Sequence, residues 1–126
     1  MMRIMQSFLI FFYILDQCWD QCYAEREVEE DDLPWFLGAI CPELWGNGKP
    51  MDMAIFYEWQ SFIVPQTVDV NNIMEKTYSF LEYYEKKWGF HFTIAKQWIL
   101  ATTDKTVVET AYDRTELMYE KHKYDN

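Results

Sequence analysis

From Met5 to Cys22 apolar side chains recur at three- and four-residue spacing: Met5, Phe8, Leu9, Phe12, Leu15, Trp19 and Cys22 form one stripe, with Gln6, Gln17, Asp20 and Gln21 off it. Ile10, Phe11 and Ile14 widen the apolar face beyond a single stripe. The pattern predicts a core helix with two buried sides. The same segment imitates a secretory leader, because Arg3 precedes the apolar run 8–15 and Cys22-Tyr23-Ala24 resembles a cleavage site. Against that reading, the run is short for a leader, and Asp16, Trp19 and Asp20 stand where small neutral residues are usual. A membrane span needs about 18 to 20 apolar residues, and Asp16 interrupts the run far earlier.

Residues 25–32 carry six acids and one base, so they must be solvated. They hold the end of the first helix and a connection, with Asp31 or Asp32 as N-cap of a short helix in which Pro34 takes an early position. Trp35, Phe36, Ile40 and Cys41 supply its apolar contacts until Pro42 stops it. Residues 44–50 read as a loop with an anchored Trp45, since Gly46, Asn47 and Gly48 tolerate positive φ and Pro50 opposes helix. Asp52 caps the next helix, whose inner face follows Met53, Phe56, Tyr57 and Gln60 or Phe62 until Pro65. A cap at Thr67 or Asp69 opens the longest helix, with Val70, Ile73, Thr77, Leu81, Tyr84 and Trp88 inside and Glu82, Glu85, Lys86 and Lys87 outside. Gly89 ends it, after two lysines that suit the helix dipole. Residues 90–94 alternate and permit a short strand, but 93–102 fits a helix better. Asp104 then caps a last helix that buries Val107, Val108, Ala111, Tyr112, Thr115, Met118 and Tyr119, and residues 121–126 are expected to fray.

No segment repeats and no linker divides the chain. The expected fold is an all-α, irregular bundle of five or six helices forming one domain over residues 1–126. With 126 residues, half of them apolar, the chain can bury roughly two-thirds of its unfolded surface without disulfides or metal. Cys18, Cys22 and Cys41 are odd in number and suit a reducing cytoplasm, and Cys18 and Cys22 read as buried, inert thiols.

Candidate chemistry is sparse. Cys18 and Cys22 share a helical face, yet His91 and His122 stand far along the chain and zinc-type spacing is missing. The acidic run lacks the central glycine and alternating ligands of a calcium loop. There is no nucleophile elbow, no phosphate-cradling glycine loop and no close Cys-His pair. Glu82 and Glu85 sit beside Lys86 and Lys87 and read as solvated salt-bridging groups, and His91 between Phe90 and Phe92 reads as a core or boundary histidine. The expectation is a protein without enzymatic activity or cofactor.

Charge changes the picture more than any motif. The formal net charge is -10. Residues 1–64 hold three bases against eleven acids, whereas residues 65–126 hold eight against ten. Such a balance repels nucleic acid and anionic lipid, and a one-sided negative field steers a basic partner. Trp35 and Trp45 flank the acidic region and Trp59 follows. Large aromatics beside an acidic rim favour a protein-binding surface.

The stretches Asp31-Asp32-Leu33 through Leu37-Gly38, Pro42-Glu43-Leu44-Trp45, Gly48-Lys49-Pro50-Met51-Asp52 and Tyr57-Glu58-Trp59 resemble a pattern in small bacterial immunity proteins of polymorphic toxin systems, including contact-dependent growth inhibition. The resemblance covers roughly residues 29–60. It implies a cytoplasmic protein that binds one cognate toxin domain, here a basic nuclease, and occludes its active site. The expected contact residues are Glu27, Glu29, Glu30, Asp31, Asp32, Glu43 and Trp45. Reversing charge at Glu30, Asp31 and Asp32 together is expected to slow association without unfolding the protein. The alternatives are an acidic nucleic-acid mimic that inhibits a host defence nuclease, and a secreted or envelope factor from which residues 1–24 are removed.

Overall fold

The computed structural model describes residues 2–23 and 31–124. Over these the chain forms α1 (Ile4–Cys22), α2 (Leu33–Ile40), α3 (Met53–Ile63), α4 (Ile73–Trp88), α5 (Thr93–Ala101) and α6 (Thr106–Lys121). The result is the expected all-α bundle. No strand occurs among the described residues, and residues 90–92 are the connection into α5.

α1 is the hub. It touches each of the other five helices, most extensively α6. Every residue from Ser7 to Leu15 is buried, which explains why its apolar pattern wraps around the helix instead of marking one stripe. Around it lies an aromatic core: Phe11 stacks on Trp59 with centroids 4.6 Å apart and meets Phe80 edge-on at 5.4 Å, while Phe36 meets Phe92 at 5.1 Å. The polar groups inside are paired. Thr77 and Thr115 hydroxyls donate to the carbonyls of Ile73 and Ala111, both at 2.8 Å, and Ser7 donates to the Ile4 carbonyl at 2.7 Å.

Local signals set most boundaries. Asp52 is the N-cap of α3, its Oδ1 accepting from Ala54 N–H at 2.9 Å, whereas the N-cap of α6 is Lys105, one residue after the expected Asp104, whose Oδ1 accepts from Thr106 N–H at 2.9 Å. Gly89, at φ +75°, closes α4, as a C-terminal glycine should. α4 itself begins later than expected, after Asn72. The Asp69 carboxylate serves the preceding turn instead, accepting from Asn71 and Asn72 N–H at 2.8 and 3.1 Å.

Several faces are rotated from the expected ones. On α3 the buried side is Ile55, Phe56, Trp59 and Ile63, and Tyr57 is exposed. On α4 Phe80 lies in the core, while Val70 precedes the helix and, like Trp88, faces solvent. Tyr112 of α6 is likewise exposed. Glu85 pairs with Lys96 of α5 at 2.6 Å and accepts from Phe92 N–H at 2.8 Å, so it joins two helices and leaves Lys86 and Lys87 aside. The tail expected to fray is tied down through residue 124: Tyr124 Oη donates to the Gly48 carbonyl at 2.7 Å, and its ring packs on Tyr119 at 4.6 Å.

Candidate partner-binding surface

Of the expected contact residues, Glu27, Glu29 and Glu30 lie outside the described residues. Asp31 and Asp32 are described, and both carboxylates are engaged within the fold. Asp31 Oδ1 accepts from Tyr23 Oη at 2.8 Å and from Leu33 N–H at 3.0 Å, and its Oδ2 accepts from Ile94 N–H at 3.4 Å. Asp32 Oδ2 accepts from His91 N–H at 2.7 Å, and Asp32 N–H donates to the His91 carbonyl at 2.9 Å. The pair therefore fastens the start of α2 to the end of α1 and the start of α5. Charge reversal here would strike the fold, contrary to the expectation from sequence. His91 takes part through its backbone only, and the residue is exposed, not a core or boundary histidine.

Glu43 Oε2 accepts from Tyr13 Oη at 3.1 Å. Burial, then the Glu43 charge, holds that phenol far above its ordinary range, so it remains a donor.

The tryptophans divide. Trp59 is fully buried, 0% exposed, and its Nε1 donates to Ser7 Oγ at 2.9 Å. Trp45 is not anchored: it is 67% exposed, its neighbour Leu44 60% and Trp35 58%. Trp35 rests edge-on against Phe90 at 5.3 Å and otherwise faces out, instead of contributing to the core.

These exposed groups stand on a fixed support. Asp52 N–H donates to the Ala39 carbonyl at 2.9 Å and closes the base of the loop after α2. Within the loop, Asn47 Oδ1 accepts from Lys49 N–H at 2.9 Å. Gly48 has φ +76°, and a Cβ there would fall 2.5 Å from Tyr124 Oη and 2.6 Å from the His122 ring. Only glycine fits beneath the C-terminal segment, and that contact holds the loop that displays Leu44 and Trp45.

Beside them runs an open groove of about 210 Å³ between α1 and α2, lined by Phe12, Asp16, Trp19, Gly38, Cys41 and Leu44 among others. Asp16 is the charge in it. Burial and the nearby Asp20 raise its pKa, opposed by Arg114, whose Nη1 lies 3.1 Å from Asp16 Oδ2. All three cysteines are free. Cys18 is buried, and burial raises its thiol well above the ordinary range, but Cys22 and Cys41 are only half-buried. Cys41 lines the groove, and of the two thiols expected to be buried, Cys18 and Cys22, only Cys18 is. Among the described residues no group of three or more His, Cys, Asp or Glu gathers as a metal site, and no helix is long and apolar enough to cross a membrane.

Sequence reasoning missed the groove and the exposure of Leu44. The available signal was Gly38, a glycine inside an otherwise apolar eight-residue helix. No family model, no curated protein and no solved structure matches this chain.

Proposed function

We propose that this is a cytoplasmic immunity protein that binds a cognate basic toxin domain through α2 and the following loop and occludes its active site. The observation that carries the reading is the exposure of Trp35, Leu44 and Trp45 on a hydrogen-bonded support, in the half of the chain that holds eleven acids against three bases. Exposed indoles bury much area on association and freeze few rotamers, and a support held in place beforehand lowers the entropic cost of docking. The acidic excess raises the rate of encounter with a basic surface, and salt weakens that effect. Nuclease toxins hold phosphates in basic clefts, which an acidic, aromatic-tipped protein complements. Such a protein acts by occupancy and carries out no reaction of its own. The resemblance over residues 29–60 agrees with this reading.

The test is titration calorimetry against the C-terminal domain of a large secreted protein encoded beside this gene, at low and high salt. One-to-one, salt-sensitive binding that abolishes the domain's toxicity and weakens at least about tenfold in Trp45→Ala is the expected result. Absence of binding at micromolar concentrations overturns the pairing, and unchanged affinity in Trp45→Ala removes the loop from the contact.

A further inference from the structure

We infer that the groove between α1 and α2 is a socket for an arginine side chain of the partner, with the alkyl stem lying over Gly38 and the guanidinium meeting the Asp16 carboxylate. The inference rests on the reading of the partner as basic and deepens it by naming the contact.

Gly38 is the first reason. Its φ is not positive, unlike that of Gly46, Gly48 and Gly89, so the backbone does not demand glycine. A Cβ built at Gly38 meets nothing within 4 Å, so internal packing does not demand it either. Glycine is a poor helix former, and a residue that weakens its own helix without an internal reason leaves room for something from outside. At Gly38 the missing side chain deepens the groove.

Charge is the second reason. Asp16 lines the groove, and Asp20 and Glu43 lie close enough to act on it electrostatically. Arg114 pairs with Asp16 at 3.1 Å through Oδ2, and Lys121 stands with Arg114 beside Glu43, so two cations face three carboxylates. An uncharged apolar side chain would bury Asp16 further without adding a partner for it, whereas a second copy of this chain carries a net charge of -10 of its own. Arginine has both required parts: an apolar stem that covers hydrocarbon and a planar cation that pairs with carboxylates and stacks on aromatic rings. Trp19 lines the groove, its indole stacked on Tyr23 at 5.2 Å and 16°.

The experiment is an amide NMR titration of the whole ¹⁵N-labelled chain with hexylguanidinium, with hexanol and hexanoate as comparison probes. Saturable shifts at Gly38 and Cys41, with hexylguanidinium binding about fivefold tighter than hexanol and hexanoate weaker than both, are expected. Asp16→Asn should bring hexylguanidinium close to the hexanol level. Gly38→Leu should remove saturation while leaving the circular dichroism spectrum helical, and the milder Gly38→Ala should weaken it. Equal binding of hexanol and hexylguanidinium overturns the arginine assignment, and shifts confined elsewhere, or none that saturate, overturn the socket. The titration needs no toxin domain, so its failure is separate from failure of the immunity reading.

Discussion

Ser7 is a serine surrounded by Phe8, Leu9 and Ile10, where a hydroxyl would ordinarily be costly. Its Oγ donates to the Ile4 carbonyl at 2.7 Å and accepts from Trp59 Nε1 at 2.9 Å, so the buried indole has its partner. Ser7→Ala leaves that N–H unpaired inside the core and should lower stability by about 1 to 3 kcal/mol in urea unfolding. In a Trp59→Phe background the donor is gone and the same substitution should cost clearly less, which a double-mutant cycle measures directly. Sequence could place Ser7 on a helix but could not pair it with a residue fifty-two positions away. It also placed Trp35, Trp45 and Trp59 in one class, although Trp59 is wholly buried and the other two are exposed. Residue type alone does not separate them, because an indole suits a core and an interface equally well.

Among the elements, α2 is the most dependent on distant residues. It has only eight residues, too few to be stable alone, and the carboxylates at its start tie it to Tyr23, His91 and Ile94. Asp31→Ala removes an acceptor shared by the Tyr23 hydroxyl and the Leu33 N–H, and a loss of about 2 to 3 kcal/mol is expected by urea denaturation. Had Asp31 been a free surface acid, the loss would fall below about 0.5 kcal/mol. The helix start was legible, since Asp and Pro34 announce it, and the Leu33 contact is local. What sequence took for a solvated charge cluster is, at Asp31 and Asp32, a clasp. α3 shows the converse: a face chosen on Met53, Phe56 and Tyr57 alone is off by part of a turn, because several residues on that helix are apolar and packing on α1 and α4 selects among them.

For the whole molecule, burial of phenols sets an alkaline limit. Tyr84 and Tyr124 are pushed up to about 12, mainly by burial, while Tyr13 and Tyr23, buried beside Glu43 and Asp31, stand higher still. Because the folded pKa of each exceeds the unfolded value of about 10, the native state keeps a proton that the unfolded chain has lost. Their contribution to stability is therefore complete below pH 10 and declines as pH rises through the folded values. Tyrosinate absorbance and far-ultraviolet dichroism followed together should show part of the signal of the nine tyrosines held back until the helices are lost; the full tyrosinate signal with helicity intact would contradict the burial. The sequence by itself determined the helical class, the cap at Asp52, the stop at Gly89 and the burial of α1 on more than one side, because each is written in spacing or in the backbone preference of one residue. Only the tertiary structure decided which tryptophans face out, which carboxylates are engaged and where a groove opens at Gly38, because those depend on contacts between residues tens of positions apart, whose energies carry no trace in local order.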